Sequence, residues 1–250
     1  MSTLSLSGST AMAPLISAAA GEVSKDAAFP KINVHLAGSR AGVEEFVGGD
    51  ADAAFVDDAM LMPPGMASVY PVAAFAIAFI AHPSACVRDV TPAELRGLLT
   101  GEIRNWAQVG GADARVRLVT RDATSGVRSI VEHRILGDRR LFASDQVASS
   151  NRAAAIKVQQ TPGGFSFVSS PAARDLEITQ LAVDGRRPTN ALVLQGIYPY
   201  WTCGQMFVRS AAREHALRIV DYIIKEAPLC DYFGFITLNR ETAKPDETPG

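Results

Sequence analysis

Cysteine is scarce in this chain: Cys86, Cys203 and Cys230 are the three present among 250 residues. They show neither CxxC nor zinc-type spacing, which sets aside a structural zinc and a thioredoxin-like redox pair, and the odd count leaves at least one thiol free while one disulfide stays compatible with it. Long apolar runs are also missing, and none approaches the roughly 18 residues needed to span a bilayer. Charge of one sign is not in excess, since 24 basic and 26 acidic residues give a net charge of -2. With Lys and Arg scattered, there is no basic field for nucleic acid or anionic lipid, so any anion site must be built locally. Catalytic signatures are lacking as well: there is no GxSxG elbow, no HExxH, and no Walker lysine behind a Gly-rich turn. His35, His82, His133 and His215 sit in no recognisable catalytic motif, and Glu132-His133 reads as a surface pair on a helix. Without a nucleophile-base signature the chain is not expected to be an enzyme, nor to carry a metal or cofactor. The opening Met1-Ser2-Thr3 lacks a basic segment followed by an apolar stretch, which is the expectation for a cytosolic protein or for one whose leader is absent from this sequence.

What is present is globular: 48% of residues are hydrophobic and 20% charged, enough for one large domain or two lobes. The organising stretch is Arg121-Asp122-Ala123-Thr124-Ser125-Gly126-Val127-Arg128. Ahead of it, Val116, Leu118 and Val119 form a β-prone run; behind it, Ile130, Val131, Ile135 and Leu136 recur at helical spacing. Residues 121–126 are therefore a strand-to-helix turn, where unpaired helix N–H groups and the positive end of the dipole favour an anion. Ser125 can cap the helix, Gly126 lets a ligand approach the backbone, and Arg121 offers a planar fork matched to tetrahedral oxyanions.

Two other turns repeat the pattern. Leu4 to Leu6 reads as a strand, Gly8-Ser9-Thr10-Ala11 as a turn, and Pro14 opens a helix with Leu15, Ile16, Ala19 and Val23 inward. Ile32, Val34 and Leu36 alternate as a strand, followed by Gly38-Ser39-Arg40-Ala41-Gly42 and a helix carrying Val43, Phe46 and Val47. Ala53 to Val56 reads as a buried strand running into Asp57-Asp58, adjacent carboxylates of the kind that ordinarily mark a solvated loop. The apolar run from Val69 to Ala81 is long enough to cross between lobes, and Met206-Phe207-Val208 is the candidate return. Thr91-Pro92-Ala93-Glu94 is a capping box that starts a helix with Leu95, Leu98 and Leu99 inward, and Trp106 is expected in the core. The region through Lys157 reads as less regular, and Gly163 to Val168 as a turn into a strand with strand and loop following to Leu194. A last helix over about Ala211 to Lys225 carries Ala212, Leu217, Val220 and Ile224 on one face, and Phe233 to Ile236 closes the fold.

Taken together, Gly8 to Pro14, Gly38 to Gly42, Ala51 to Asp57, Arg121 with Ser125-Gly126, and the segment Thr91 to Gly111 (through Leu95, Gly101, Ile103, Asn105, Trp106 and Val109-Gly110-Gly111) resemble the phosphate-binding proteins of bacterial ABC phosphate importers. These belong to the periplasmic binding-protein superfamily, and the similarity runs from about Leu4 to Leu238. The resemblance implies an α/β, two-lobed periplasmic binding-protein fold with a ligand cleft between lobes and two hinge crossings. Lobe I would comprise 1–76 and 200–238, lobe II 77–199, and 239–250 a disordered tail.

The implied ligand is inorganic phosphate, with an ABC permease as membrane partner, no nucleic acid, a monomeric state, and a periplasmic or cell-surface location. Position by position, the resemblance assigns phosphate oxygens to the hydroxyls of Thr10, Ser39 and Ser125, to backbone N–H groups of Ala11, Gly126 and Val127, and to the Arg121 guanidinium. Asp57 would face the ligand as an acceptor that welcomes a protonated oxyanion and repels fully ionised sulfate. Two departures stand out: Val127 replaces a usual Thr or Ser, and Asp58-Ala59 makes the cleft edge more acidic than expected. The alternatives are another tetrahedral oxyanion (sulfate, arsenate, molybdate or tungstate) or a phosphate-sensing module.

Overall fold

Leu4 and Leu6, at 3% and 1% exposure, point to the same side of the first strand and begin the core of that unit. The structure, a computed structural model, describes residues 3–144 and 146–238; the tail at 239–250 lies outside them. The chain divides into two compact units, Met1–Phe75 with Thr202–Gly250, and Ala76–Trp201.

Unit 1 opens with β1 (Thr3–Gly8), α1 (Ala13–Val23), β2 (Lys31–His35), α2 (Ser39–Gly48) and β3 (Ala53–Val56), and enters β4 (Ser68–Ala81). β1 lies between β2 and β3 with both pairings parallel, Leu6 facing Val34 on one side and Ala53 on the other. Two consecutive strand-helix-strand passages of this kind bring the turns after β1 and β3 and the start of α2 to the carboxyl end of one sheet. α1 buries Leu15, Ile16, Ala19, Ala20 and Val23, with Pro14 in its first turn where a missing N–H is harmless. α2 buries Val43 and Phe46. Two expected inward residues point outward: Leu36 lies past the end of β2 at 45% exposure, and Val47 is 43% exposed on the outer side of α2.

Unit 2 takes the rest of β4 and adds β5 (Asp89–Val90), α3 (Pro92–Thr100), β6 (Arg117–Arg121), α4 (Gly126–Ile130), β7 (Gln146–Ala148), α5 (Asn151–Gln160), β8 (Gly164–Ser169), β9 (Thr179–Gln180), β10 (Ala182–Val183) and α6 (Asn190–Leu194). β8 runs antiparallel to β4 and parallel to β6, with β7 parallel on the far side of β6. The capping box of α3 closes in both directions, Thr91 Oγ1 accepting from Glu94 N at 3.2 Å and Glu94 Oε2 accepting from Thr91 N at 2.7 Å. Trp106 is fully buried, donating from Nε1 to Gly163 O at 3.0 Å and meeting Phe165 edge-on. The helical run after β6 is α-helical only to Ile130 and continues as a π-helical turn over Val131–Leu136.

The region read as irregular holds α5, capped by Ser150 and packed through Ala154, Ala155 and Val158 on Ile80 and Val119. Its inner face is largely alanine, too small to raise an apolar period above its polar neighbours. α6, capped by Thr189, replaces part of the expected strand and loop before Leu194.

The chain returns to unit 1 in β11 (Trp201–Val208), followed by α7 (Arg213–Lys225) and α8 (Ala227–Phe233). β11 pairs antiparallel with β3, Met206 facing Phe55 and Phe207 facing Ala54. α7 buries Ala216, Ile219, Val220 and Ile223; the expected face is rotated, leaving Leu217 and Ile224 half-buried at its margin. α8 was not foreseen, and Ile236 beyond it bridges Ala74.

Candidate functional site

In unit 1 the turn after β1 is pinned from below. Gly8 passes so close to β3 that a Cβ there would lie 1.9 Å from Phe55 O, and a Cβ on Gly42 would lie 2.6 Å from Gly8 Cα. The start of α2 is thereby seated on the end of β1 without side chains between them. Gly38, at φ 90, turns into α2, and its N–H donates to Gly8 O at 2.9 Å.

These contacts place Ser9, Ser39 and Asp57 in one buried polar cluster, at 1%, 0% and 2% exposure. Ser9 Oγ donates to Asp57 Oδ1 and accepts from Ala11 N at 2.9 Å. Ser39 Oγ accepts from Asp57 N at 3.1 Å, and Thr202 Oγ1 on β11 donates to Asp57 O at 2.6 Å. Asp57 is therefore held through its N–H, its carbonyl and its carboxylate, by three different hydroxyls. Thr10 sits half-buried in the same turn.

Three expectations change here. Asp57 and Asp58 do not form a solvated loop, both being 2% exposed. Asp58 is not an exposed edge residue: it is buried, and its Oδ1 accepts from Met60 N at 3.2 Å and caps the 3-10 turn Ala59–Leu61. The Ala11 N–H, assigned to the ligand by resemblance, is spent on Ser9 Oγ. Ser9 and Thr202 are not among the expected site residues; Ser9 lies in the Gly8 to Ala11 turn, but only the fold reveals that its hydroxyl faces Asp57.

In unit 2, Arg121 ends β6 at 1% exposure. Its Nε donates to Ala148 O at 3.1 Å and its Nη2 to Ser149 O at 3.4 Å, so the neighbouring strand β7 and the residue after it fix the plane of the guanidinium. Asp122 Oδ1 accepts from Thr124 N at 3.0 Å and Thr124 Oγ1 at 2.6 Å, tightening the turn. Ser125 caps α4 by accepting from Arg128 N at 3.2 Å. Arg128 Nη1 donates back to Arg121 O at 2.9 Å, tying the first helical turn to the strand end, while its Nε pairs with Glu132 at 2.9 Å. Ser125, Gly126 and Val127 are all buried, Val127 completely, and its side chain is a packing element.

A buried, rigidly held guanidinium next to a serine-capped helix start is a donor-rich, positively biased surface for an oxyanion. Thr10, Ala11, Ser39 and Asp57 thus share unit 1, and Arg121, Ser125, Gly126 and Val127 share unit 2. The histidines are scattered: His35 pairs with Glu45 at 2.9 Å, His82 accepts from Ser84 N, and His215 meets Phe29 edge-on. Among the described residues no group of three or more His, Cys, Asp or Glu could hold a metal ion, and no helix is long and apolar enough to cross a membrane.

Residues 1–227 match the family described as PBP superfamily domain. The phosphate-binding protein PstS of Bacillus subtilis is 28% identical over 228 residues, covering 90% of this chain and 76% of that protein. Among solved structures, a substrate-binding protein from Clostridium perfringens assigned to phosphate ABC transport, with bound phosphate, superposes with a TM-score of 0.85 at 22% identity over 95% of this chain and 100% of the other. An ABC-type phosphate transport receptor from Vibrio cholerae gives 0.76 at 22% identity, over 94% and 100%.

Proposed function

The chain belongs to the PBP superfamily, and from that premise we propose that it captures inorganic phosphate and delivers it to an ABC permease, as a binding protein rather than an enzyme. The two units act as the lobes of such a protein. Thr10, Ser39 and Asp57 contribute from unit 1, and Arg121, Ser125 and the backbone donors of Gly126 and Val127 from unit 2. The protein works as a monomer in the periplasm or at the cell surface.

The observation that carries this reading is the turn between β6 and α4. The guanidinium is held in one plane by backbone carbonyls at the start of a serine-capped helix, and a planar fork fixed in this way presents its donors in the bidentate geometry that suits an oxyanion. Unit 1 supports phosphate within the oxyanion class. Asp57, oriented by Ser9, Ser39 and Thr202, is an acceptor suited to an oxyanion that still carries a proton.

Calorimetric titration of ligand-stripped protein with phosphate, with sulfate, arsenate and molybdate as competitors, tests the reading. Phosphate-selective binding is expected. Arg121→Ala should lower affinity by about thirtyfold or more, consistent with about 2–5 kcal/mol for truncating a buried charge partner. Unchanged affinity in that variant would refute the seat; preference for sulfate or molybdate would move the ligand within the class.

A further inference from the structure

Unit 2 carries a second place built for negative charge. A groove of about 430 Å3 is lined by Arg88, Thr179, Arg187 and Thr189, with Ile178 and Pro188 between them. None of its lining residues belongs to the turn between β6 and α4, and no carboxylate lines it.

Its walls are fixed by backbone pairing. Ala182 N donates to Arg88 O at 2.9 Å beside the parallel pairing of β5 and β10, and β9 is held on β4 through Thr179 opposite Ala81. Two acids adjoin lining residues in sequence without lining the groove themselves: Glu177, and Asp89, whose two oxygens accept from Gly185 N at 3.0 and 3.1 Å. Arg88 and Arg187 are exposed, and neither guanidinium makes a hydrogen bond or ion pair with a described residue. Thr189 Oγ1 accepts from Leu192 N at 3.3 Å, which leaves its hydroxyl proton available to a ligand.

Two planar donor forks without acids, two hydroxyls and a cavity of metabolite size define the chemistry sought. Buried Pro188 and half-buried Ile178 add an apolar floor, which a carbon skeleton covers and a bare inorganic ion does not. We propose that this groove is a second ligand site, which takes a small organic polyanion with an anionic group on each arginine.

Citrate and a sugar bisphosphate, titrated separately into the full-length chain, distinguish carboxylate from phosphate as the source of the charge. At least one should bind with a dissociation constant below about 1 mM. The double variant Arg88→Ala/Arg187→Ala should weaken that binding about tenfold or more, through loss of charge-assisted hydrogen bonds at each fork. Its phosphate titration and thermal unfolding should match those of the parent, since both side chains are exposed and outside the proposed phosphate seat. Arg121→Ala should leave binding of the organic probe intact, which separates this site from the phosphate seat. The proposal is overturned if neither probe binds, if the double variant binds the probe as the parent does, if Arg121→Ala abolishes the effect, or if sulfate binds as tightly as the organic probes.

Discussion

Replacing Ser9 with alanine removes one oxygen that serves two neighbours. Its donation to Asp57 Oδ1 is a hydrogen bond to a buried carboxyl, and its acceptance from Ala11 N satisfies a donor on a residue only 3% exposed. A hydrogen bond to a charged group contributes about 1.5–3 kcal/mol, and an orphaned buried N–H costs about 1–3 kcal/mol. Because one atom makes both bonds the losses do not simply add, and about 2–4 kcal/mol is the expected destabilisation of unit 1. A single denaturation midpoint is a poor reporter for a chain of two units, so native-state amide hydrogen exchange is the better assay. Amides of β1 and β3 should lose protection by about 30- to 1,000-fold, at about 1.4 kcal/mol per tenfold. Amides of β6 and β8 report the other unit and should change little. Less than about a threefold loss in β1 and β3, about 0.6 kcal/mol, would show that Ser9 does not hold this turn.

Three further outcomes are expected. Asp57→Asn should relax discrimination against sulfate by replacing an acceptor-only group with one that can donate; competition calorimetry reads the change, and continued exclusion of sulfate refutes the acceptor argument. Gly42→Ala should destabilise unit 1 by about 1–3 kcal/mol or more, because its Cβ would stand 2.6 Å from Gly8 Cα and α2 would have to lift from β1; exchange in α2 checks it. Burial pushes the Cys203 thiol up to about 11, so at pH 8 it is almost wholly protonated and should alkylate far more slowly than exposed Cys86, gaining rate as pH rises toward 11. Mass spectrometry of the labelled peptides decides this, and equal labelling would contradict the burial argument.

Much of the site's framework was legible because the signals were local. A β-prone run giving way to helical spacing located the turn after Arg121, Thr91 and Glu94 announced their own capping box, and Pro14 marked the first turn of α1. What stayed hidden depended on partners distant in sequence. Ser9 and Asp57 are 48 residues apart and Thr202 and Asp57 are 145 apart, so the three hydroxyls that hold Asp57 were invisible as a set. Acidic pairs usually mark surface charge, while Asp58 is buried with its carboxylate bonded to the adjacent backbone. Elements were missed where periodicity was weak: α5 buries two alanines, Asn151 and Val158, and α6 has only five residues. The rotated face of α7 has a different origin, since Leu217 and Ile224 are as apolar as the residues that displaced them and only packing selects among them.

The way unit 1 is assembled from two distant stretches of chain sets a timetable for biosynthesis. Unit 2 is uninterrupted from Ala76 to Trp201, so all its strands have been synthesised before β11 is made. β3, by contrast, acquires its antiparallel neighbour only when Met206 and Phe207 arrive, some 150 residues after its own synthesis. Until then the fully buried sequence Ala53-Ala54-Phe55-Val56 presents an unpaired edge, the kind of surface that recruits chaperones or another nascent chain. A chain stopped short of Thr202 would hold all of unit 2 and lack both this closing strand and Asp57's carbonyl partner. Completion of the Asp57 pocket is thus timed by the last fifth of the polypeptide, and premature termination there should yield material that aggregates through β3.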